Sequence, residues 1–288
     1  MAELSFWEAV RDTPLLQRAM WAGGLAGLSC ASLSPLVVLR RVAFVGDGMA
    51  HAAFGGIGVA LFVLAGSRYE DFGVQGLTLV FCLVVAAAIG VTSRHAEGAR
   101  MAEDSAIGVA FSVSMALGAL FIALRNRRDP QFMTNMDTFL FGNLVNIGRG
   151  DVVLLCGVAA LVLAVLILFQ KEMLFYTFDA RLAEASGINT GVFHYLFLLL
   201  LVLTVVLASR VVGIVLVSAS LVLPGVTGLK LCKRLAPAMA VAAVMGVASF
   251  ELGLYASYRY DVPPGAAIVL VQFVVLLLAA AGRRLRRS

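Results

Sequence analysis

The chain has 288 residues, of which 61% are hydrophobic and 14% charged, with a formal net charge of +5. A soluble domain carries roughly 25% charged residues, so this composition excludes an ordinary soluble enzyme and places the chain in a bilayer. The positive balance does not point to nucleic acid, because the basic residues sit in short clusters between apolar runs and in the terminal "GRRLRRS", the pattern of cytoplasmic anchors.

The opening "MAELSFWEAVRDTP", residues 1–14, is acidic and amphipathic and lacks the basic start of a cleaved signal. It is expected to remain as an interfacial segment. Apolar runs then follow at 15–38, 43–66, 73–93, 106–124, 151–169, 192–208, 211–229, 237–257 and 264–282. Each approaches the ~20 residues that cross a bilayer at about 1.5 Å per residue. The expected fold is all-α: a polytopic bundle of eight or nine spans over 15–282, closed by a basic cytoplasmic tail, 283–288. The count turns on the first pair and on the pair joined by "ASRVVG", where a segment can break or re-enter.

With the terminal arginines held in the cytoplasm, alternating spans place "KLCKRLAP" (230–237), "FDARLAEASGINT" (178–190), "RHAEGARMAED" (94–104) and Arg40/Arg41 on that same side. "GSRYEDFG", "SYRYDVPPG" and the long 125–151 loop fall on the other.

In the first span, Gly23 and Gly27 form a small-xxx-small pair that lets helix backbones approach. The second span holds Asp47 and His51, four residues apart and so on one helical face. An aspartate inside a bilayer costs roughly 2.5–3.5 kcal/mol on insertion scales, and such residues face the bundle interior or an aqueous path. Carboxylate and imidazole are both ligands for divalent transition metals. On spacing alone the pair also fits a proton relay, a hydrogen-bonding pair between helices, or a helix start with Asp47 as a cap. A dinucleotide fingerprint is excluded, because no strand precedes Gly46-x-Gly48 and the third glycine is missing.

Further along, His95, Glu97, Glu103 and Asp104 gather as solvated loop charges, with Asp104 or Ser105 placed to cap the next span. "TFDARLAEASGINT" interrupts the apolar pattern with Asp179, Arg181 and Glu184; Ala180, Leu182, Ala183 and Ala185 give a short helix that Gly187 stops. Such a helix is either an ordinary amphipathic loop or a knob for a groove on a soluble partner. His194 reads as an interfacial side chain. Pro224 and Gly225 predict a kink or break within a span, a possible gate. Glu251 and Gln272 read as interhelical hydrogen-bond formers. Cys30, Cys82, Cys156 and Cys232 show no CxxC spacing and read as small buried hydrophobes. No GxxxxGK[ST] loop occurs, so ATP, if used, is hydrolysed by another chain.

These segments resemble, in order, a known family. "VGDGMAHAAFGGIGVAL" resembles the "GDxxSHA" signature of the permease subunits of ABC transporters for zinc, manganese or chelated iron. "EDSAIGVAFSVSMALGAL" is similar to that family's "DTAIGIVFS…ALG", "FLFGNLVNIGRGD" to its "LFGNIL", and "FDARLAEASGI" to its cytoplasmic "FDPEFARALGI". "ASRVVGIVLVSASLVLPGVTG" and "YDVPPGAAIVLV" resemble "SLRVVGVLLVIALLVLPAATA" and "LDLPSGATIVLV". The likeness runs from about residue 15 to 280, with departures at Gly48, Met49 and Tyr176–Thr177.

The resemblance implies a permease in a bacterial inner membrane that pairs with a second copy of itself. Each copy would offer Asp47 and His51 to a passing Zn²⁺, Mn²⁺ or Fe²⁺. It also implies a coupling helix at 178–188, carried by Asp179, Ala180, Arg181, Leu182, Glu184, Ala185 and Gly187, seated in a cytoplasmic ABC ATPase that binds the ATP. A periplasmic or lipoprotein metal-binding protein would deliver the ion, and lipid would surround the spans. The alternative is an ion-coupled secondary transporter with Asp47 and His51 as a relay, which calls for inverted repeats that are not visible. An intramembrane metalloenzyme would need a motif such as H-E-x-x-H, and only three histidines are present. A cobalamin or siderophore permease would have little use for an Asp-His pair on its path.

Overall fold

The computed structural model describes residues 10–64, 70–95, 99–128, 142, 147–178 and 180–285. Long apolar runs fold as helices because a bilayer leaves no water to satisfy backbone groups. In chain order these are α1 (Pro14–Leu39), α2 (Ala43–Val63), α3 (Glu70–His95), α4 (Ala99–Arg128), α5 (Arg149–Leu168), α6 (Gln170–Phe178) and α7 (Ala180–Ala185). They continue as α8 (Thr190–Val212), α9 (Ile214–Ser220), α10 (Leu223–Leu231), α11 (Leu235–Tyr260) and α12 (Pro264–Leu285). Among the described residues nine stretches are long and apolar enough to cross a membrane, α9 and α10 together making one of them.

The ends of these helices carry recognisable stops. Pro14 starts α1, where its missing N–H costs nothing. Asn189 Oδ1 accepts from the Val192 amide at the start of α8. Gly213, at φ +87°, ends α8 and breaks it from α9, which resolves the "ASRVVG" ambiguity as two spans joined by one glycine. The sequence predicts a cap at Asp104 or Ser105; instead both lie inside α4, which begins at Ala99. The helix-forming "ARMAED" run extends the span outward.

The spans differ in their surroundings. In their most apolar stretches α1 and α2 are 78% and 72% buried, whereas α3, α4, α5, α11 and α12 are at 22–28%. The first two helices are therefore the centre of the bundle, and the others turn Val84, Val109, Val153, Val244 and Leu278 outward as an apolar belt. Gly23 and Gly27 receive the Phe250 ring, and Gly27 meets Gly246 backbone to backbone, so the small-residue pair seats α1 on α11 as expected. Cys30 and Cys82 are buried, but Cys156 is exposed and Cys232 half-buried. The expectation of four buried cysteines thus fails where α5 presents Cys156 on its outer face.

Helix α2 runs parallel to α4 in a tight seam. A Cβ on Gly48 would fall 2.8 Å from Ile107 Cγ2, one on Gly55 2.6 Å from the Ser114 carbonyl, and one on Gly58 2.6 Å from the Gly118 carbonyl. The bundle's two ends are each tied by polar contacts. At one end, Arg40 of α1, Tyr176 of α6 and His194 of α8 meet. At the other, Asp151 of α5 accepts from Gln75 of α3 at 3.3 Å and lies 3.7 Å from Arg210 of α8. These groupings match the two sides assigned from the basic loops.

Candidate functional site

Asp47 is the fifth residue of α2 and His51 the ninth, so they sit about 6 and 12 Å from the helix start. Asp47 Oδ1 and His51 Nε2 are 3.7 Å apart. That is too long for a hydrogen bond, but it suits two donors on one ion. At metal–ligand distances of about 2.1 Å, a donor separation of 3.7 Å corresponds to an angle of roughly 120° at the metal.

The two side chains differ in exposure, at 44% for Asp47 and 17% for His51. The imidazole is fixed by Phe111 of α4, whose ring meets it edge-on at 4.3 Å. Its Nδ1 is buried and has no hydrogen-bond partner among the described residues. Neighbouring glycines keep the surroundings close: beside Asp47, Gly46 faces Leu221 and Gly48 faces Ile107. The carboxylate therefore projects from the central helix of the bundle into open space, with the imidazole one turn behind it. No group of three or more His, Cys, Asp or Glu side chains gathers among the described residues. A single chain thus presents two potential ligand atoms here, the Asp47 carboxylate and the His51 imidazole nitrogen.

Leu221 marks the break that Pro224 and Gly225 predict. The chain leaves helical geometry at Leu221–Val222, and Pro224 occupies the first turn of α10, where it needs no donor. The interruption thus lies ahead of the proline, and α9 and α10 stand as separate short helices. Gly225 serves packing instead. Its amide donates to Ser34 Oγ of α1 at 2.8 Å, and no side chain fits between the two backbones.

The short helix also forms. α7 covers Ala180–Ala185 and ends in a Schellman motif, with Ile188 N donating to the Ala183 carbonyl and Gly187 N to that of Glu184. Gly187 adopts φ +82°, the left-handed stop expected of it. Ala183 is fully buried, whereas Leu182 is 54% exposed and Glu184 and Ala185 are exposed. Thr190 donates to Glu184 Oε1, tying α7 to α8. Asp179 lies outside the described residues, as do the side chains of Ala180, Arg181, His95, Glu103 and Asp104 and the whole of Glu97.

Of the remaining candidates, Gln272 is fully buried and donates to Ser220 Oγ across α12 and α9, the interhelical bond expected of it. Glu251 lines an apolar cleft of about 420 Å³ between α1 and α11, beside Trp21 and Gly24. His194 is held by Tyr176. Sequence reasoning missed Phe111, Leu221 and Ser34, whose roles come from neighbours distant in the chain.

The chain matches the ABC 3 transport family over residues 12–283. It belongs to that family. A manganese transport system membrane protein, MntC of Halalkalibacterium halodurans, is 36% identical over 277 residues, covering 95% of this chain and 89% of that one. MntB of Synechocystis, a manganese transport system membrane protein, is 33% identical over 269 residues, covering 93% and 82%. Among solved structures, PsaBC from Streptococcus pneumoniae in complex with Fab contains a similar chain with TM-score 0.81 and 27% identity, covering 95% of this chain and 94% of that one. As an ABC 3 family permease, the chain has no ATPase site of its own, in keeping with the absent phosphate loop. Membership also does not favour the ion-coupled secondary transporter.

Proposed function

We propose that this chain is the membrane permease of an ATP-driven importer that passes Mn²⁺ from an extracytoplasmic binding protein to the cytoplasm of a bacterium. The observation that carries the reading is the Asp47–His51 pair, two metal-ligating atoms 3.7 Å apart on the central helix. Carboxylate plus imidazole also accommodates Zn²⁺ and Fe²⁺; the names of the relatives make Mn²⁺ the first ion to test. Two copies, related by a two-fold axis along the path, would bring four donors to one ion. The exposed end of α7, with Leu182, Glu184 and Ala185, serves as the seat for a separate ABC ATPase in the inner membrane assembly, Asp179 and Arg181 adding charge beside it. Closure of that ATPase moves the permease halves as rigid bodies, with the breaks at Gly213 and at Leu221–Val222 ahead of Pro224 and Gly225 as candidate hinges.

Selection belongs to the delivering receptor, because a conducting site must also let go. The His51 environment supports weak binding. A ligating imidazole normally donates its other N–H to an acceptor that orients it, and His51 Nδ1 has none among the described residues. Coordination through Nε2 leaves that proton buried and unsatisfied. The test is uptake of radioactive Mn²⁺ into proteoliposomes holding the permease, its partner ATPase and metal-loaded receptor. Uptake should require ATP and fall in Asp47→Asn and His51→Ala; unchanged uptake in both variants removes the pair from the path.

A further inference from the structure

We infer that Arg40 and Tyr176 form the link by which movement of α7 reaches the metal-bearing α2, which makes both of them positioning residues for transport. The inference rests on the reading of α7 as the ATPase seat and of Asp47 and His51 as metal contacts. It adds a means of joining the two.

Tyr176 lies near the end of α6, four residues before α7 begins, and is only 5% exposed. Three separate contacts hold it. The Arg40 guanidinium stacks on its ring at 3.6 Å from the centroid, and Arg40 Nη1 donates to its carbonyl at 3.4 Å. Its hydroxyl shares a hydrogen bond of 2.7 Å with His194 Nδ1 on α8. A stacked cation that also bonds the backbone resists both sliding and lifting, and burial strengthens each component. Phe197 of α8 flanks the same guanidinium at 5.9 Å.

Arg40 is in turn bound closely to α2. It caps α1, and only Arg41 and Val42 separate it from Ala43, the first residue of α2. This turn is closed by Val42 N to the Val37 carbonyl and Arg41 N to the Val38 carbonyl, with Arg41 held at φ +60°. A left-handed non-glycine residue inside such a ring of bonds makes a stiff corner. Displacement of α6 together with α7 therefore pulls Arg40, and Arg40 pulls the end of α2 that carries Asp47 seven residues later. The Tyr176–His194 bond and the Glu184–Thr190 bond move α8 in the same stroke.

The experiment compares Mn²⁺ imported per ATP hydrolysed in proteoliposomes containing the assembled transporter and Mn²⁺-loaded receptor. Arg40→Gln and Tyr176→Leu should lower that ratio about five-fold or more, the scale of an allosteric coupling, while hydrolysis stays within about two-fold. Arg40→Lys keeps a cation over the ring, and Tyr176→Phe keeps the ring itself; both should retain most of the ratio. As a second readout, spin labels on Phe44, an exposed residue of α2, should report an ATP-dependent distance change between the two copies that Arg40→Gln abolishes. An unchanged ratio in Arg40→Gln and Tyr176→Leu, or a parallel loss of hydrolysis and flux, overturns the link. Failure of the parent reading is distinct: there the unaltered chain shows no ATP-dependent uptake, or Asp47→Asn takes up Mn²⁺ normally.

Discussion

Gly225 of α10 and Ser34 of α1 are in backbone contact: the glycine amide donates to the serine hydroxyl at 2.8 Å, and a Cβ on Gly225 would fall 2.5 Å from the Ser34 carbonyl carbon. Gly225→Ala must therefore push two helices apart, an overpacking cost of about 1–3 kcal/mol. Ser34→Ala removes the acceptor and leaves the buried Gly225 amide unpaired near the start of α10, a cost of about 1–3 kcal/mol as well. Thermal melts of the detergent-solubilised permease should place both variants below the unaltered chain.

Asp47→Asn should separate transport from stability. The carboxylate is 44% exposed and lies 3.7 Å from the His51 imidazole, too far for a hydrogen bond, so its removal should change stability by no more than about 0.5 kcal/mol. Loss of a group that merely orients a ligand costs roughly 10–100-fold at metal sites, and loss of a ligand should cost at least about ten-fold in Mn²⁺ uptake. Uptake and melting temperature measured on the same preparation check both halves.

On α7 the exposed and buried faces should answer differently. Leu182→Asp changes an exposed side chain and should abolish copurification with the ATPase while leaving the melt unchanged. Ala183→Leu forces bulk into a fully buried position and should lower the melting temperature.

At the helix stop, Gly187 stands at φ +82° with open space around its Cβ position. Gly187→Ala should thus cost the backbone strain alone, about 1–2 kcal/mol, and Gly187→Asn less, since asparagine tolerates that conformation. Thermal melts of the two variants give the comparison.

Asp151 closes the opposite end through three partners: Gln75, Arg210 and the Gly148 amide at 3.0 Å. Asp151→Ala removes all of them and should destabilise by about 1–2 kcal/mol. Thermal melts of the detergent-solubilised permease check this value.

Much of this architecture is legible in the sequence. Hydropathy marks the nine spans of the described residues because a segment that crosses lipid must be apolar along about 20 residues, and the stop at Gly187 is a local property of "ASGI". The Asp47–His51 pair is equally local, four residues on one helix. Other features depend on contacts no short window contains. Arg40 and Tyr176 are 136 residues apart, Gly225 and Ser34 are 191, and nothing nearby in sequence announces either meeting. Pro224 signals the interruption of its span but not its position, because a proline fits the first turn of a new helix as well as a kink in an old one.

The glycine seam between α2 and α4 leaves no space for even a methyl group at Gly55 or Gly58. Two parallel rods in that embrace neither roll nor slip by a register step, so they travel as one plank. The bearing of the Asp47–His51 stripe is thereby fixed relative to α4, so any movement of the stripe must carry a slab of two helices instead of twisting one.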